Sequence, residues 1–242
     1  MPLLYRRILL KLSGEALAGG RGWGIDEATL KGFATTVKNV VNGGTQVGLV
    51  IGGGNFFRGV SASSVIDRVS ADHMGMLATV MNALAFKGAL MSHGVQCRVM
   101  SAIPMATIAE PMVSQQAIRH LEDGAVVVFA GGTGNPFFTT DTNAALRALE
   151  TGADVLIKAT KVNGIYDKDP VKHGDARFFP ELDFDTVLSL NLGVMDATAV
   201  SLCREHGLEL RVINIFEQDG LARLLNGEAV GSVVRARRLV NG

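Results

Sequence analysis

Short, nearly uninterrupted apolar runs recur along the chain at residues 8–12, 47–51, 95–100, 126–130, 155–158 and 210–213. Runs without polar alternation suit strands covered on both faces, the condition of a parallel sheet. Between them the period changes to that of helices. Leu30, Phe33, Ala34, Val37, Val40 and Val41 fall on one helical stripe behind a capping Asp26, and the pattern stops at Gly43-Gly44. Residues 72–93 read as a long Met- and Ala-rich helix opening at Asp72, and residues 196–206 as another opening at Asp196. This order predicts a doubly wound α/β fold, a mainly parallel sheet sandwiched by helices. With no repeat or low-complexity linker, residues 1–242 parse as one domain. Met74, Met76, Met81, Met91 and Phe86 are expected in the core, the helix being over-apolar for a surface helix and suited to a deep core or to burial against a partner subunit, and His73 is expected in a structural hydrogen bond. The basic end from Arg235 through Arg238 to residue 242 is expected to fray.

Composition narrows the function. At 242 residues and 48% apolar content the chain can fill a substantial core, and its 23 basic residues balance 23 acidic ones. Without a global basic field, nucleic acid and anionic membrane surfaces are not expected partners. Cys97 and Cys203 form no C-x-x-C pair and read as buried, reduced thiols. No run of 18 consecutive apolar residues occurs, and the first residues lack a signal-peptide pattern, so a cytoplasmic protein is expected.

In open α/β sheets ligands bind beyond the carboxyl ends of the strands. The first run leads into Lys11-Leu12-Ser13-Gly14, and the second into Gly52-Gly53-Gly54-Asn55 followed by Arg58. The fourth leads into Gly131-Gly132-Thr133-Gly134-Asn135-Pro136-Phe137-Phe138-Thr139-Thr140-Asp141, and the fifth into Lys158-Ala159-Thr160-Lys161. Glycine lets backbone N–H groups approach anionic oxygens, and a helix opening at Thr140 or Asp141 would aim its positive end at the same place. The glycine triplet lacks the lysine of a P-loop, but Lys11, Arg58, Lys158 and Lys161 offer charge from other strand ends. One such loop would be an ordinary turn; four on one rim predict a phosphate site. A dinucleotide oxidoreductase would need G-x-G-x-x-G after the first strand and an acidic residue after the second, and both are missing. The sequence signatures of zinc hydrolases, deaminases and G-x-S-x-G hydrolases are missing too. Phosphoryl transfer remains.

These stretches, with the segment from Asp72 to Asn82, the segment from Met100 to Pro104, the segment from Lys158 through Tyr166 to Asp169 and Val194-Met195-Asp196, resemble the bacterial uridylate kinases of the amino acid kinase superfamily. The resemblance runs over residues 7–234. It implies transfer from ATP to UMP with Mg2+, an acceptor half near residues 1–150 and an ATP half near 151–234, and no dedicated protein metal cage. It also implies a homohexamer, a GTP activator and a UTP inhibitor. Carried over by position, Lys11, Leu12, Ser13, Gly14, Gly54 and Arg58 would contact ATP phosphates, while Thr160, Tyr166 and Asp169 would hold adenine and ribose. Gly53, Asp72, Thr133, Gly134, Asn135, Pro136, Phe137, Phe138, Thr139 and Thr140 would bind UMP, with Phe137 or Phe138 as an apolar wall and Asp72 accepting from the ribose. Gly19, Gly20, Arg21, Gly22, Trp23 and Gly24 match the loop of the family's GTP response.

A transfer between two ionised phosphates needs positioning and charge compensation rather than a general base. Lys11 and Lys161, with Lys158, are the expected bridge to the transferred group. Asp141 is expected to orient the lysines, and Asp196 to do the same or organise the metal; helix capping is a compatible role for both. Arg21 at the centre of its glycine loop, and Ser114 and Ala125 where some family members carry an aromatic and an arginine, depart from the family's GTP pattern. Lys87 and Arg98 are then the candidate effector contacts. A carboxylate or carbamate kinase of the same fold, and a non-catalytic nucleotide sensor, are the competing readings.

Overall fold

The structure is a computed structural model and describes residues 3–57 and 65–237. The chain begins with strand β1 (Arg7–Leu12), a short helix α1 (Gly14–Leu17), helix α2 (Glu27–Asn42), β2 (Gln46–Ile51) and the long α3 (Arg68–Ser92). It continues through β3 (Cys97–Ser101), β4 (Glu110–Pro111), α4 (Ser114–Glu122), β5 (Val126–Ala130), α5 (Thr140–Thr151) and β6 (Val155–Thr160). After a hairpin of β7 (Ile165–Tyr166) and β8 (Phe178–Phe179) come β9 (Glu181–Asp183), α6 (Phe184–Ser189), α7 (Ala197–Glu205), β10 (Glu209–Asn214), α8 (Gly220–Leu225) and β11 (Ser232–Arg235).

All six apolar runs are strands of one sheet, ordered β4-β3-β5-β2-β1-β6-β10-β11-β9. Its described pairings are parallel except that of β10 with β11. Each strand is apolar on both sides because helices cover both. Ile8, Leu10 and Leu12 of β1 join Phe33 and Val37 of α2, Phe86 of α3 and Leu224 of α8 in one core. Leu9 faces the other way, with Val50, Phe129, Leu156, Ala144 and Ala148 of α5, and Val200 of α7. Cys97 and Cys203 are buried free thiols, and burial pushes both up to about 12.

Four expectations change. Helix α3 starts a turn earlier than its apolar pattern, because Asp67 rather than Asp72 caps it, accepting from the Ser70 N–H at 3.0 Å and the Ser70 hydroxyl at 2.6 Å. Asp72 therefore lies inside the helix. Met76 and Phe86 are buried as expected, but Met74, Met81 and Met91 are exposed. With Leu77 and Leu84 they form a second apolar stripe at heptad-like spacing on the outer face of a helix whose 18-residue window reaches a mean hydropathy of 1.4. That helix is long and apolar enough to cross a membrane by length and composition, and 44% of the window is buried inside the fold. His73 is exposed, and its side chain has no hydrogen bond among the described residues. Arg235 is not frayed: it ends β11 and holds Glu181 at 2.5 Å, while Arg238 and the residues after it lie outside the described residues.

Candidate active site

The site grows from strand parity. Side chains two residues apart share a sheet face, so Lys11 lies beside Leu9, and Lys158 beside Leu156, on the face that α5 covers. In the register of β1 with β6, Lys11 is the direct partner of Lys158. Two ammonium groups therefore stand side by side at the carboxyl edge of the sheet, both largely buried. Asp141, in the first turn of α5, lies between them, its two oxygens 2.8 Å from the Lys11 Nζ and 3.0 Å from the Lys158 Nζ. Burial alone would raise the Asp141 carboxyl, but Lys11 and then Lys158 outweigh it and hold the group below its ordinary value of 3.8. Burial lowers Lys158 from 10.5; Asp141 opposes that fall and Lys11 adds to it.

Asp141 is not the cap of α5. Thr139 is, accepting from the Asp141 N–H at 3.0 Å and the Thr142 N–H at 3.4 Å. Asp196 does cap its helix, accepting from the Ala199 N–H at 2.9 Å, and it also accepts from the hydroxyls of Thr139 and Thr142 and from the Thr142 N–H. One carboxylate thus ties the openings of α5 and α7 together.

Lys161, which sequence favoured over Lys158, is exposed in the turn beyond β6 and has no ion pair among the described residues. The apolar run ends at Lys158, but the strand continues to Thr160 and takes Lys158 into the sheet. Arg58 lies outside the described residues.

The glycine loops close on each other. A Cβ at Gly14 would stand 2.4 Å from the Gly52 carbonyl, and one at Gly53 would stand 2.7 Å from the Gly75 carbonyl of α3; neither position tolerates a side chain. Gly54 is more open, with nothing nearer than 3.4 Å among the described residues. Ser13 caps α1, accepting from the Ala16 N–H at 3.2 Å, and Leu12 is buried at the end of β1.

After β5 the loop turns over the α3 face. The Gly131 N–H donates to the Thr79 hydroxyl at 2.9 Å, and buried Arg147 of α5 holds the Gly132 carbonyl at 3.3 Å. Thr133 bonds Asn135 within the loop. Phe137 takes a φ of 72°, strained for a residue with a side chain, and donates its N–H to Asp72 at 2.7 Å. Asp72 also receives Arg68 at 2.9 Å, and the Arg68 guanidinium lies 5.5 Å from the centre of the Phe137 ring. Asp72 thus staples the loop through its carboxylate. Phe137 and Phe138 both stay exposed beside Gly134, Pro136 and Thr140.

Beyond β6 a cavity of about 300 Å³ is lined by Lys158, Thr160, Tyr166 and Asp169, and by residues 191–194. Lys158 also donates to the Val194 carbonyl, so one lysine touches both this cavity and Asp141. Tyr166 packs on Phe178, ring centres 5.3 Å apart. Sequence reading did not find residues 191–193, which carry no apolar period, nor the bonding roles of Thr79, Thr142 and Arg147. Gly19–Arg21 is a single 3-10 turn, Gly22 and Gly24 take left-handed angles, and Trp23 packs edge-on to Phe56 at 5.8 Å. No group of three or more His, Cys, Asp or Glu side chains able to hold a metal occurs among the described residues. Asp141 and Asp196 already carry two lysines and two helix openings, so these side chains fit a metal that arrives on phosphate oxygens rather than one caged by protein.

A sequence profile of the amino acid kinase family matches residues 6–214. Uridylate kinase of Methylococcus capsulatus is 55% identical over 232 residues, covering 96% of this chain and 97% of that protein. Among solved structures, UMP kinase from Bacillus anthracis superposes with a TM-score of 0.92 at 38% identity over 96% of each chain. UMP kinase from Ureaplasma parvum does so with a TM-score of 0.88 at 35% identity, over 95% of this chain and 98% of that one. On this sequence, fold and arrangement of strand ends, the chain belongs to the amino acid kinase family, among the uridylate kinases.

Proposed function

We propose that the protein transfers the γ-phosphoryl group of ATP to UMP, giving ADP and UDP for pyrimidine nucleotide biosynthesis in the cytoplasm. The observation that carries this is the Lys11–Asp141–Lys158 cluster, set between the loop of residues 131–140 and the cavity at Thr160, Tyr166 and Asp169. Two lysines on one carboxylate concentrate positive charge at the sheet edge, with Asp196 a lesser influence on Lys158. Phosphoryl transfer through a loose transition state asks for this, because negative charge spreads over the equatorial oxygens and the acceptor phosphate is already ionised. Asp141 keeps both ammonium groups in place, so little reorganisation is needed as the phosphates approach. The helix dipole of α5 adds to their field.

In this reading the cavity beyond β6 receives the ATP nucleoside, with Lys158 reaching its phosphates. The amides of Gly14, Gly53 and Gly54 cradle oxygens from both substrates. Asp72 and residues 133–140 hold UMP, with Phe137 or Phe138 against the base. Mg2+ carried in on ATP would neutralise phosphate charge. Lys161 extends the basic rim, and by position in the family Arg58 is assigned to the ATP phosphates.

The exposed stripe of Met74, Leu77, Met81, Leu84 and Met91 fits burial against a second copy of the chain, and the homohexamer is proposed from the family. GTP as activator and UTP as inhibitor follow from the family, with the loop of residues 19–24 as the responsive element.

The decisive assay couples ADP release to UMP, CMP, dTMP, aspartate and acetylglutamate as acceptors, with GTP and UTP added in turn. Turnover with UMP is expected, and its absence at millimolar ATP and magnesium overturns the reading. Lys11→Ala is expected to lower kcat about a hundredfold, about 3 kcal/mol of lost charge stabilisation; near-normal turnover would remove Lys11 from the reacting centre.

The pH dependence has a definite sign. Asp141 titrates below its ordinary value when folded, so the stability it contributes is full above about pH 4 and is lost as pH falls through the lower folded value. Lys158 titrates below 10.5, so activity should fall as pH rises through that depressed value. Asp141→Asn removes the anion that opposes the fall. The basic limb of kcat should move to lower pH, and an unmoved limb would show that Lys158 does not govern it.

Met81→Glu puts a charge into the outer stripe of α3. In sedimentation velocity the assembly should shift toward smaller species, and an unchanged mass would place the interface elsewhere.

A further inference from the structure

Beneath the glycine loops lies a polar contact that the proposed reaction has not used. Asn55 and Asn82, both fully buried, face each other across the space between the residue 52–55 loop and α3. The Asn55 amide donates to the Asn82 side-chain carbonyl at 2.9 Å, and the Asn82 amide donates back to the Asn55 carbonyl at 2.7 Å. Each has a second N–H to place. Asn55 gives its own to the Gly24 carbonyl at 2.8 Å, and Asn82 gives its own to the Gly52 carbonyl at 2.7 Å. All four side-chain donors are therefore used, and the two backbone carbonyls fix which end of each amide is nitrogen. A return bond from the Gly24 N–H to the Asn55 backbone carbonyl at 2.9 Å completes the link.

The segments held this way are the ones that would touch phosphate. Gly14 sits against the pair, since a Cβ there would stand 2.5 Å from the Asn55 Oδ1. A Cβ at Gly52 would stand 3.1 Å from the Gly14 N and 3.5 Å from the Thr140 hydroxyl at the opening of α5. Apolar residues of similar shape could fill the space between the loop and α3, but they would leave the Gly24 and Gly52 carbonyls buried without donors and would not set the distance between the two turns.

We infer that Asn55 and Asn82 are the positioning residues of the phosphate site, an amide pair that fixes where residues 52–54 present their N–H groups and couples that position to the turn at residues 22–24. The inference rests on the kinase reading. The pair touches no substrate; it acts through the Gly52 and Gly24 carbonyls. Trp23, the single tryptophan of the chain, reports on the coupling because it packs against Phe56 of the same loop.

The test compares wild type with Asn82→Leu and Asn82→Ser by steady-state kinetics with ATP and UMP, acrylamide quenching of Trp23 and thermal unfolding. Asn82→Leu is expected to lower kcat by about ten- to a hundredfold while KM for each nucleotide changes by less than about threefold, the pattern of misplaced rather than missing contacts. Trp23 should become more accessible to acrylamide, and the serine variant, which keeps one donor, should fall between. Folded variants with kcat within about twofold of wild type and unchanged quenching would overturn the positioning role. If leucine prevents folding, the serine variant carries the same comparison. If neither folds, the pair belongs to the core and the inference fails. A wild type that phosphorylates no acceptor defeats the kinase reading and this inference with it; an active wild type with unaffected variants defeats only this inference.

Discussion

Two lysines directly opposite each other on adjacent strands are an unfavourable pair. Burial penalises each charge, and each raises the cost of the other. Asp141 resolves this with one oxygen to each ammonium group, and the solution dictates much of what surrounds it. The carboxylate must lie over the junction of β1 and β6, so α5 must open there. Its opening is then fixed a second time by Asp196, which accepts from Thr139 and Thr142 while capping α7. Removing one member of such a cluster is far more disruptive than its net worth suggests, because an uncompensated buried charge remains.

The cluster also reconciles a chain of no net formal charge with a site for two anionic substrates. The positive charge of Lys11 and Lys158 is local, held largely buried where it acts strongly at short range, while salt and water screen it at long range. A diffuse basic surface would attract any polyanion. Two lysines held on one carboxylate, beside the backbone amides of Gly14 and the glycine triplet, suit a small compact phosphate in the proposed reading.

Much of this could be read from the sequence, and the failures have physical causes. Continuous apolar runs marked every strand of the sheet centre, because burial on both faces leaves no room for alternation. Helix α2 was legible to its cap, since Asp26 directly precedes a regular stripe. Helix α3 was not, because Asp67 stands a turn before the apolar period begins and Asp72 occupies the place where a cap would be sought. The exposed methionines were misread for a related reason. Apolar residues at heptad spacing look the same whether they face a core or solvent, and α3 carries both stripes. Parity separates the two lysines beyond the fifth run: Lys11 follows Leu9 by two residues as Lys158 follows Leu156, which puts both on one face, whereas Lys161 lies past the end of the strand. The bonding of Asn55 to Asn82 has no local signal at all, since it joins residues 27 apart through side chains alone.

The order of strands gives the proposed reaction its direction. Across the sheet the sequence is β5, β2, β1, β6 and β10. At their carboxyl ends stand, in that order, the loop proposed for UMP, the glycine triplet, Lys11, Lys158 with the cavity proposed for ATP, and the far side of that cavity at Val212. Neighbouring strands lie about 4.8 Å apart, so the span from β5 to β6 is about 14 Å, a distance suited to an acceptor phosphate and a triphosphate meeting end to end. Lys11 lies one strand from the glycine triplet and one from Lys158. An in-line transfer between the two nucleotides must pass over that point, where the carboxylate of Asp141 holds both lysines. The same geometry explains why the rim needs no histidine: nothing at the crossing has a proton to remove, and what the sheet supplies there is charge and position.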